Sequence, residues 1–150
     1  MQIKKTEVED SLQNKVDLFF QNKKPNMAEH LGIEFTKLAT GEVKGTMPVD
    51  SRTHQPFGVL HGGASVAFAE TLASVGAWLT CDVSRQTAVG MEINANHVRP
   101  VQEGSVTGHA ESLHRGSQTQ IWQVTIRNNQ QKLVCVSRCT LAIVPLNPQT

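Results

Sequence analysis

Residues 62–80 read GGASVAFAETLASVGAWLT, and the reading of this stretch decides the architecture. Phe68, Leu72, Val75 and Leu79 recur at i, i+4, i+7 and i+11, the spacing of one apolar stripe on a helix set against another layer. Glu70 sits in its middle, and a carboxylate near a bilayer centre costs roughly 2.5–3.5 kcal/mol, so the stretch is a buried helix over Gly62–Leu79 rather than a membrane span. Glu70 lies two residues from Phe68, about 200° around the helix, and points away from the stripe. Its own face holds Gly63, Val66, Ala67, Ala73, Ser74 and Ala77, mostly small residues. A solvated face usually carries several charges. A single carboxylate among small residues instead suits a packed interface or a pocket.

The helix opens on His61-Gly62-Gly63. Glycines at a helix start leave backbone N–H groups accessible, and the helix dipole there favours negative charge. A carbonyl oxygen that gains charge during hydrolysis is stabilised by such a site.

The chain has 150 residues, the size of one domain, with 39% hydrophobic and 18% charged residues in an ordinary globular balance. A net charge of +1 gives no field for nucleic acid or a membrane surface, so neither is expected as a partner. The N-terminal MQIKKTEVED has no apolar run behind its lysines, so it is not read as a secretory signal, and a cytoplasmic location is expected. Cys81, Cys135 and Cys139 are too few and too scattered for a disulfide framework.

Residues 7–22 carry mostly helical spacing, with Glu9 and Asp10 near the expected start and Asn22–Pro25 as the stop. A short turn over 27–31 follows. Gly32–Ala39 and Glu42–Val49 read as strands joined by Thr40-Gly41. Residues 50–60 are irregular. After the central helix come four extended segments, near 87–98, 105–115, 118–129 and 132–144, with a hairpin turn at Arg127–Gln131. Helix, two strands, one long helix and four consecutive strands predict an α+β fold with an antiparallel sheet around one central helix, a hotdog-like layout.

Several constellations fail. Gly63-Ala64-Ser65-Val66-Ala67 nearly matches a nucleophile elbow, but the chain offers too few helices for the parallel sheet that motif needs. Cys135 and Cys139, four apart on a strand, sit about 13 Å apart, too far to share an ion. No His-x-x-x-His pair exists among the six histidines, so no metal is expected. His97 and Arg99 at a strand end, and the His114-Arg115-Gly116-Ser117 turn, are two small basic features suited to phosphate.

The runs Thr46–Thr53, Gln55–Gly58, Leu60–Ser65 and Ala69–Thr71, extended by Glu92–Pro100 and Leu113–Ser117, resemble the hotdog-fold acyl-CoA thioesterases of the PaaI type. Within them the nearest branch includes the 1,4-dihydroxy-2-naphthoyl-CoA hydrolase of menaquinone biosynthesis and the enterobactin proofreading thioesterase. The resemblance covers roughly residues 30–144. It implies a hotdog domain over 27–146, an N-terminal helical extension over 1–26, and hydrolysis of an acyl-CoA, aromatic acyl groups included, without a cofactor. It implies Glu70 as base or nucleophile, Gly62 as backbone donor to the thioester carbonyl, and His61 as the residue orienting it. Gln55 lies near the attacking water and Ser74 lines the acyl pocket. Contacts to the CoA portion are implied at Gly90, at His97, Val98, Arg99 and Pro100, and at His114, Arg115, Gly116, Ser117, Gln118 and Thr119. The resemblance further implies a homodimer or homotetramer with the site between subunits. Two features depart from these relatives: Thr71, where the naphthoyl-type relative has Ser although Thr also occurs in its proofreading sibling, and an N-terminal segment long enough either to cap the acyl pocket or to extend the surface. Phe68 and Trp78 are expected to shape its acyl end. Two rival readings remain at this stage: a 3-hydroxyacyl-thioester dehydratase or hydratase pairing His54 with Glu70, and a non-catalytic acyl-CoA or carrier-protein binding module.

Overall fold

The computed structural model describes residues 6–147; the first five residues of the expected N-terminal extension and the last three of the chain lie outside the described residues. The elements run β1 (Glu7–Val8), a 3-10 turn (Asp10–Leu12), α1 (Gln13–Gln21), α2 (Met27–His30), β2 (Glu34–Ala39), β3 (Glu42–Pro48), α3 (Gly62–Thr80), β4 (Gln86–His97), β5 (Ser105–Arg115), β6 (Thr119–Asn128) and β7 (Leu133–Pro145). Seven strands form one sheet in the order β1-β2-β3-β5-β6-β7-β4. All neighbours are antiparallel except β1 and β2. The helix α3 lies across β3 to β7, and its predicted stripe Phe68, Leu72, Val75 and Leu79 is buried. This is the hotdog fold.

Missing side chains let α3 sit close to the sheet. Gly45 and Gly108 face each other across β3 and β5. A Cβ at Gly108 would lie 2.5 Å from Leu72 and 2.8 Å from Phe68, and one at Gly45 would lie 3.0 Å from Leu72. In return, Gly76 of α3 receives the Trp122 ring of β6, which a Cβ there would meet at 2.5 Å. The buried Trp122 Nε1–H donates to Gln120 Oε1 at 2.9 Å, and Gln120 Nε2 donates to Thr80 Oγ1 at 2.7 Å, so the helix end is tied to the sheet without an orphaned polar group.

The structure corrects the expected helix over 7–22. Residues 7–8 are a strand, and Glu9 is extended; its carboxylate accepts from Thr40 N–H at 2.7 Å and Thr40 Oγ1–H at 3.0 Å. Glu9 thus ties the chain to the β2–β3 turn, and α1 begins only at Gln13. Leu12 and Val16 are buried in the main core. Lys15 then donates to Leu79 O at 2.8 Å and Cys81 O at 2.7 Å, a cation on the C-terminal carbonyls of α3.

A second correction concerns the face of Glu70. Ala73 and Ala77 are fully buried, so α3 is enclosed further around its girth than one stripe requires. The open face narrows to Gly63, Val66, Ala67, Glu70, Thr71 and Ser74. Cys135 and Cys139 are free thiols buried in β7.

On the partly exposed face of β2, β3 and β5, Glu42 meets Lys37 at 2.6 Å, Lys44 at 3.2 Å and His109 Nε2 at 2.9 Å. The Lys37 hydrogen bond first, then Lys44 and His109, holds the Glu42 carboxyl down at about 2, against an opposing effect of burial. A depressed carboxylate stabilises the fold above its ordinary pKa of 4.5, and that contribution is lost as pH falls through about 2. Glu42→Gln should therefore lower Tm at pH 7, and the gap to the parent should close in thermal melts taken stepwise from pH 4.5 downward. Lys15→Met should cost about 1–2 kcal/mol by stripping two carbonyls of their donor. Calorimetry should read this as a drop of roughly 3–6 °C in Tm.

Candidate active site

The start of α3 is held by the loop before it. Asp50 accepts from Arg52 N–H at 2.9 Å, Nε at 3.1 Å and Nη2 at 2.7 Å. The Arg52 guanidinium and amide hold the Asp50 carboxyl down at about 2. Buried Thr53 donates its hydroxyl to Pro48 O at 2.8 Å, and its own carbonyl receives His61 N–H at 2.8 Å. Leu60 N–H reaches Val101 O at 2.7 Å. These bonds fix His61 as the N-cap of α3.

The first turn of that helix then accounts for its own donors unevenly. Gly63 N–H is taken by His61 Nδ1 at 2.8 Å, which puts the proton of a neutral His61 ring on Nε2. Ala64 and Ser65 N–H both reach His61 O, at 3.0 and 3.2 Å. Gly62 N–H alone has no acceptor among the described residues. Gly62 lines a cavity of about 270 Å³ together with Leu60, Ser65, His97, Val98, Arg99, Pro100 and Val134. The His97 ring lies so close that a Cβ at Gly62 would meet it at 3.0–3.3 Å. Arg99 is oriented by its Nε–H bond to Leu133 O at 3.1 Å. The sequence-predicted group His97–Pro100 is thus brought together with Gly62.

Glu70 belongs to a different cavity, of about 650 Å³, between α3 and the N-terminal segment. Ala67, Glu70, Thr71, Ser74 and Val75 form its floor, and Phe19 with residues 22–28 forms its wall. Ser74 and Glu70 are together, as predicted. Phe19 anchors the wall through ring contacts with Trp78 (5.7 Å) and Phe35 (6.3 Å). At the far end Asn26 caps α2 by accepting from Glu29 N–H at 3.2 Å, and Lys23 pairs with Glu29. Residues 22–26 therefore form a strap fixed at both ends. Nothing in the local pattern of Lys23-Lys24-Pro25 marks it as a cavity wall.

Gly90 of β4 lies against Glu70, with a Cβ there placed 2.2 Å from Oε1. Cys139 lies near the same carboxylate; burial first, then the charges of Glu70 and Glu92, pushes its thiol up to about 12.

Three predicted associations do not form within one chain. Gln55 receives Phe57 N–H on its own side-chain oxygen and lines neither cavity. His54 donates Nε2–H to Gln102 O at 2.8 Å and lines a third cavity with His61, Gly63 and Met27, not that of Glu70. The His114–Thr119 turn, closed by Gly116 N–H to Thr119 O at 2.9 Å, sits beside Gly41 at the opposite end of the sheet from His97–Pro100. By register His97 is level with Gly108 of β5, six residues and roughly 20 Å along the strand from His114, with β7 and β6 between. Along α3, Gly62 and Glu70 are eight residues and about 12 Å apart. Among the described residues, no group of three or more His, Cys, Asp or Glu could hold a metal ion, and no helix is long and apolar enough to cross a membrane.

The thioesterase superfamily profile matches residues 57–135. The chain is 50% identical over 119 residues to the 1,4-dihydroxy-2-naphthoyl-CoA hydrolase of Escherichia coli, covering 79% of this chain and 87% of that one. It is 49% identical over 118 residues to the proofreading thioesterase EntH of Cronobacter turicensis, covering 79% and 85%. The crystal structure of thioesterase HI1161 from Haemophilus influenzae superposes with a TM-score of 0.81 at 44% identity, covering 93% of this chain and 94% of that one. A lone carboxylate and a free helix-start donor on one central helix, in a chain this similar, mark it as a thioester hydrolase belonging to the thioesterase superfamily.

Proposed function

We propose that the enzyme hydrolyses acyl-CoA thioesters, aromatic acyl groups such as 1,4-dihydroxy-2-naphthoyl among them, at sites shared by two copies of the chain. The observation that carries this is the free N–H of Gly62 at the start of α3, a residue that lines a cavity with His97 and Arg99, while the carboxylate of the same helix lines another. Two groups about 12 Å apart on one helix cannot both reach one carbonyl. A second copy removes the difficulty. Among the described residues the outer edge of β4 has no partner strand, with Val89 and Met91 48% and 62% exposed next to Gly90 and Glu70. Pairing there would bring the partner's helix start to Glu70. The same pairing would let one copy's His97–Pro100 and the other's 114–119 turn share a CoA, which one chain cannot do.

The chemistry then runs as follows. The thioester carbonyl oxygen accepts Gly62 N–H, with His61 Nε2–H beside it. Glu70 of the other copy takes a proton from water, whose oxygen attacks the carbonyl carbon. The oxyanion is held by Gly62 N–H, the C–S bond breaks, CoA leaves as thiolate, and the free acid remains. Direct attack by Glu70 would instead give an enzyme anhydride that water opens. Gln55 orients the water, and the acyl group lies under the 22–26 strap beside Ser74 and Met27. The reaction calls for no cofactor or metal.

Glu70→Gln should lower kcat about 10²–10⁴-fold with folding intact. With Gly62→Ala as the control for a Cβ that meets the His97 ring at 3.0–3.3 Å, Gly62→Pro deletes the donor at a first-turn position that tolerates proline, after a His61 already extended at φ −69°, ψ 131°. It should cost about 10²–10³ in kcat. Mixing the two variants after co-refolding should restore about a quarter of parent activity if sites are shared, because half the dimers then carry one intact site. No recovery would sink the shared site. Single-turnover hydrolysis in ¹⁸O water separates base from nucleophile, since label entering the Glu70 carboxyl requires the anhydride. A panel of aroyl-, phenylacetyl- and straight-chain acyl-CoAs tests the acyl group; a strong preference for straight chains would exclude the aromatic assignment.

A further inference from the structure

Gly90 sits where β4 slips register against β7: Gly90 faces Leu141, Glu92 faces Thr140, and Met91 is the extra residue of a bulge. A glycine inside a strand forgoes a side chain to pack and costs backbone entropy, so it needs a reason. Conformation does not supply one, because Gly90 is not among the residues with positive φ. Sterics do. A Cβ at Gly90 would lie 2.2 Å from Glu70 Oε1 and 3.4 Å from Glu70 Cδ, and no other atom of the described residues beyond its chain neighbours stands within 4 Å. The one thing a side chain here would strike is that carboxylate.

We infer that Gly90 is a positioning residue for Glu70, its missing side chain forming the notch in which the carboxylate rests. This rests on the catalytic role proposed for Glu70. It differs from the ligand contact that family resemblance assigns to Gly90: the residue acts through the carboxylate, not on the CoA. A methyl at this point is cheap for the fold, since the far end of a flexible side chain can yield. It is costly for chemistry, since displacing a reacting group by about 1 Å can cost roughly a hundredfold in rate. The bulge contributes as well. By letting Met91 take up the extra length, it brings the glycine to the position opposite Glu70 while the rest of β4 keeps its pairing with β7.

The test is Gly90→Ala in the full-length protein, assayed with an aroyl-CoA that the parent turns over. The expected result is parent-like melting and oligomeric state, kcat down roughly ten- to a hundredfold, and KM and the Kd of free CoA within about twofold, the usual margin for a site that does not touch the ligand. In a Glu70→Asp background the carboxylate is withdrawn by one methylene and no longer fills the notch, so the added methyl should change kcat by less than about twofold. Three results would overturn the inference: unchanged kcat in Gly90→Ala, weakened CoA binding with kcat spared, or the same fold-loss in both backgrounds. The last would also expose a general disturbance of strand or assembly. Should Glu70→Gln lose turnover while Gly90→Ala keeps it, only the inference about Gly90 falls. Should Glu70→Gln keep parent turnover, the catalytic reading falls first.

Discussion

Close approach of α3 to the sheet is the constraint from which the site follows. The facing glycines of β3 and β5 open a notch for Phe68 and Leu72, and Gly76 opens one in the helix for Trp122. Each large side chain seated this way is worth about 1.5–3 kcal/mol of burial. Adding a methyl at such a contact forces atoms apart at a cost of typically 1–3 kcal/mol. Knobs on both surfaces fix the rotation of α3 as well as its height. Rotation decides where Glu70 and Gly62 point, so the chemistry inherits its geometry from three absent side chains.

One helix therefore carries two half-sites facing different ways. Its start is clamped by the Asp50–Arg52 turn and by Thr53, and its end by Lys15 and Gln120. Between these clamps lie the donor and the carboxylate, and a rigid spacer keeps them apart. The N-terminal segment is more than decoration on this arrangement. It joins the sheet through β1, the core through Leu12 and Val16, the helix end through Lys15, and the Glu70 cavity through Phe19.

Much of this was legible in the sequence, for physical reasons. The stripe in α3 is a period, and periods survive translation into structure. The single carboxylate stood out because it broke an otherwise uncharged run, and His61-Gly62-Gly63 marked a helix start with exposed amides. The donor count in the first turn was only partly legible: a residue directly after the N-cap keeps its N–H free, but that His61 is the N-cap and serves Gly63 follows from the loop that holds it. The strand at Glu7–Val8 was missed because two residues carry no period and because Glu9 binds the β2–β3 turn, a partner distant in sequence. Ala73 and Ala77 were read as open because periodicity reports direction around a helix, not how far neighbours wrap it. The distance between His97–Pro100 and the 114–119 turn is likewise set by strand lengths and pairing order, which no local motif encodes.

The position of β4 in the sheet carries a consequence for how the chain is made. Among the described residues its only hydrogen-bonded neighbour is β7, the last strand in sequence, although β5 and β6 come between. During synthesis residues 86–97 must wait, unpaired, until the C-terminal strand emerges, and β7 then closes onto β6 and β4 together. Folding of this kind is slow because distant segments must meet before any reward is gained. The interval also exposes Val89 and Met91 on a bare strand with both edges open, the condition under which nascent chains aggregate. The strand on which Glu70 rests thus acquires its partner only with the arrival of the last strand.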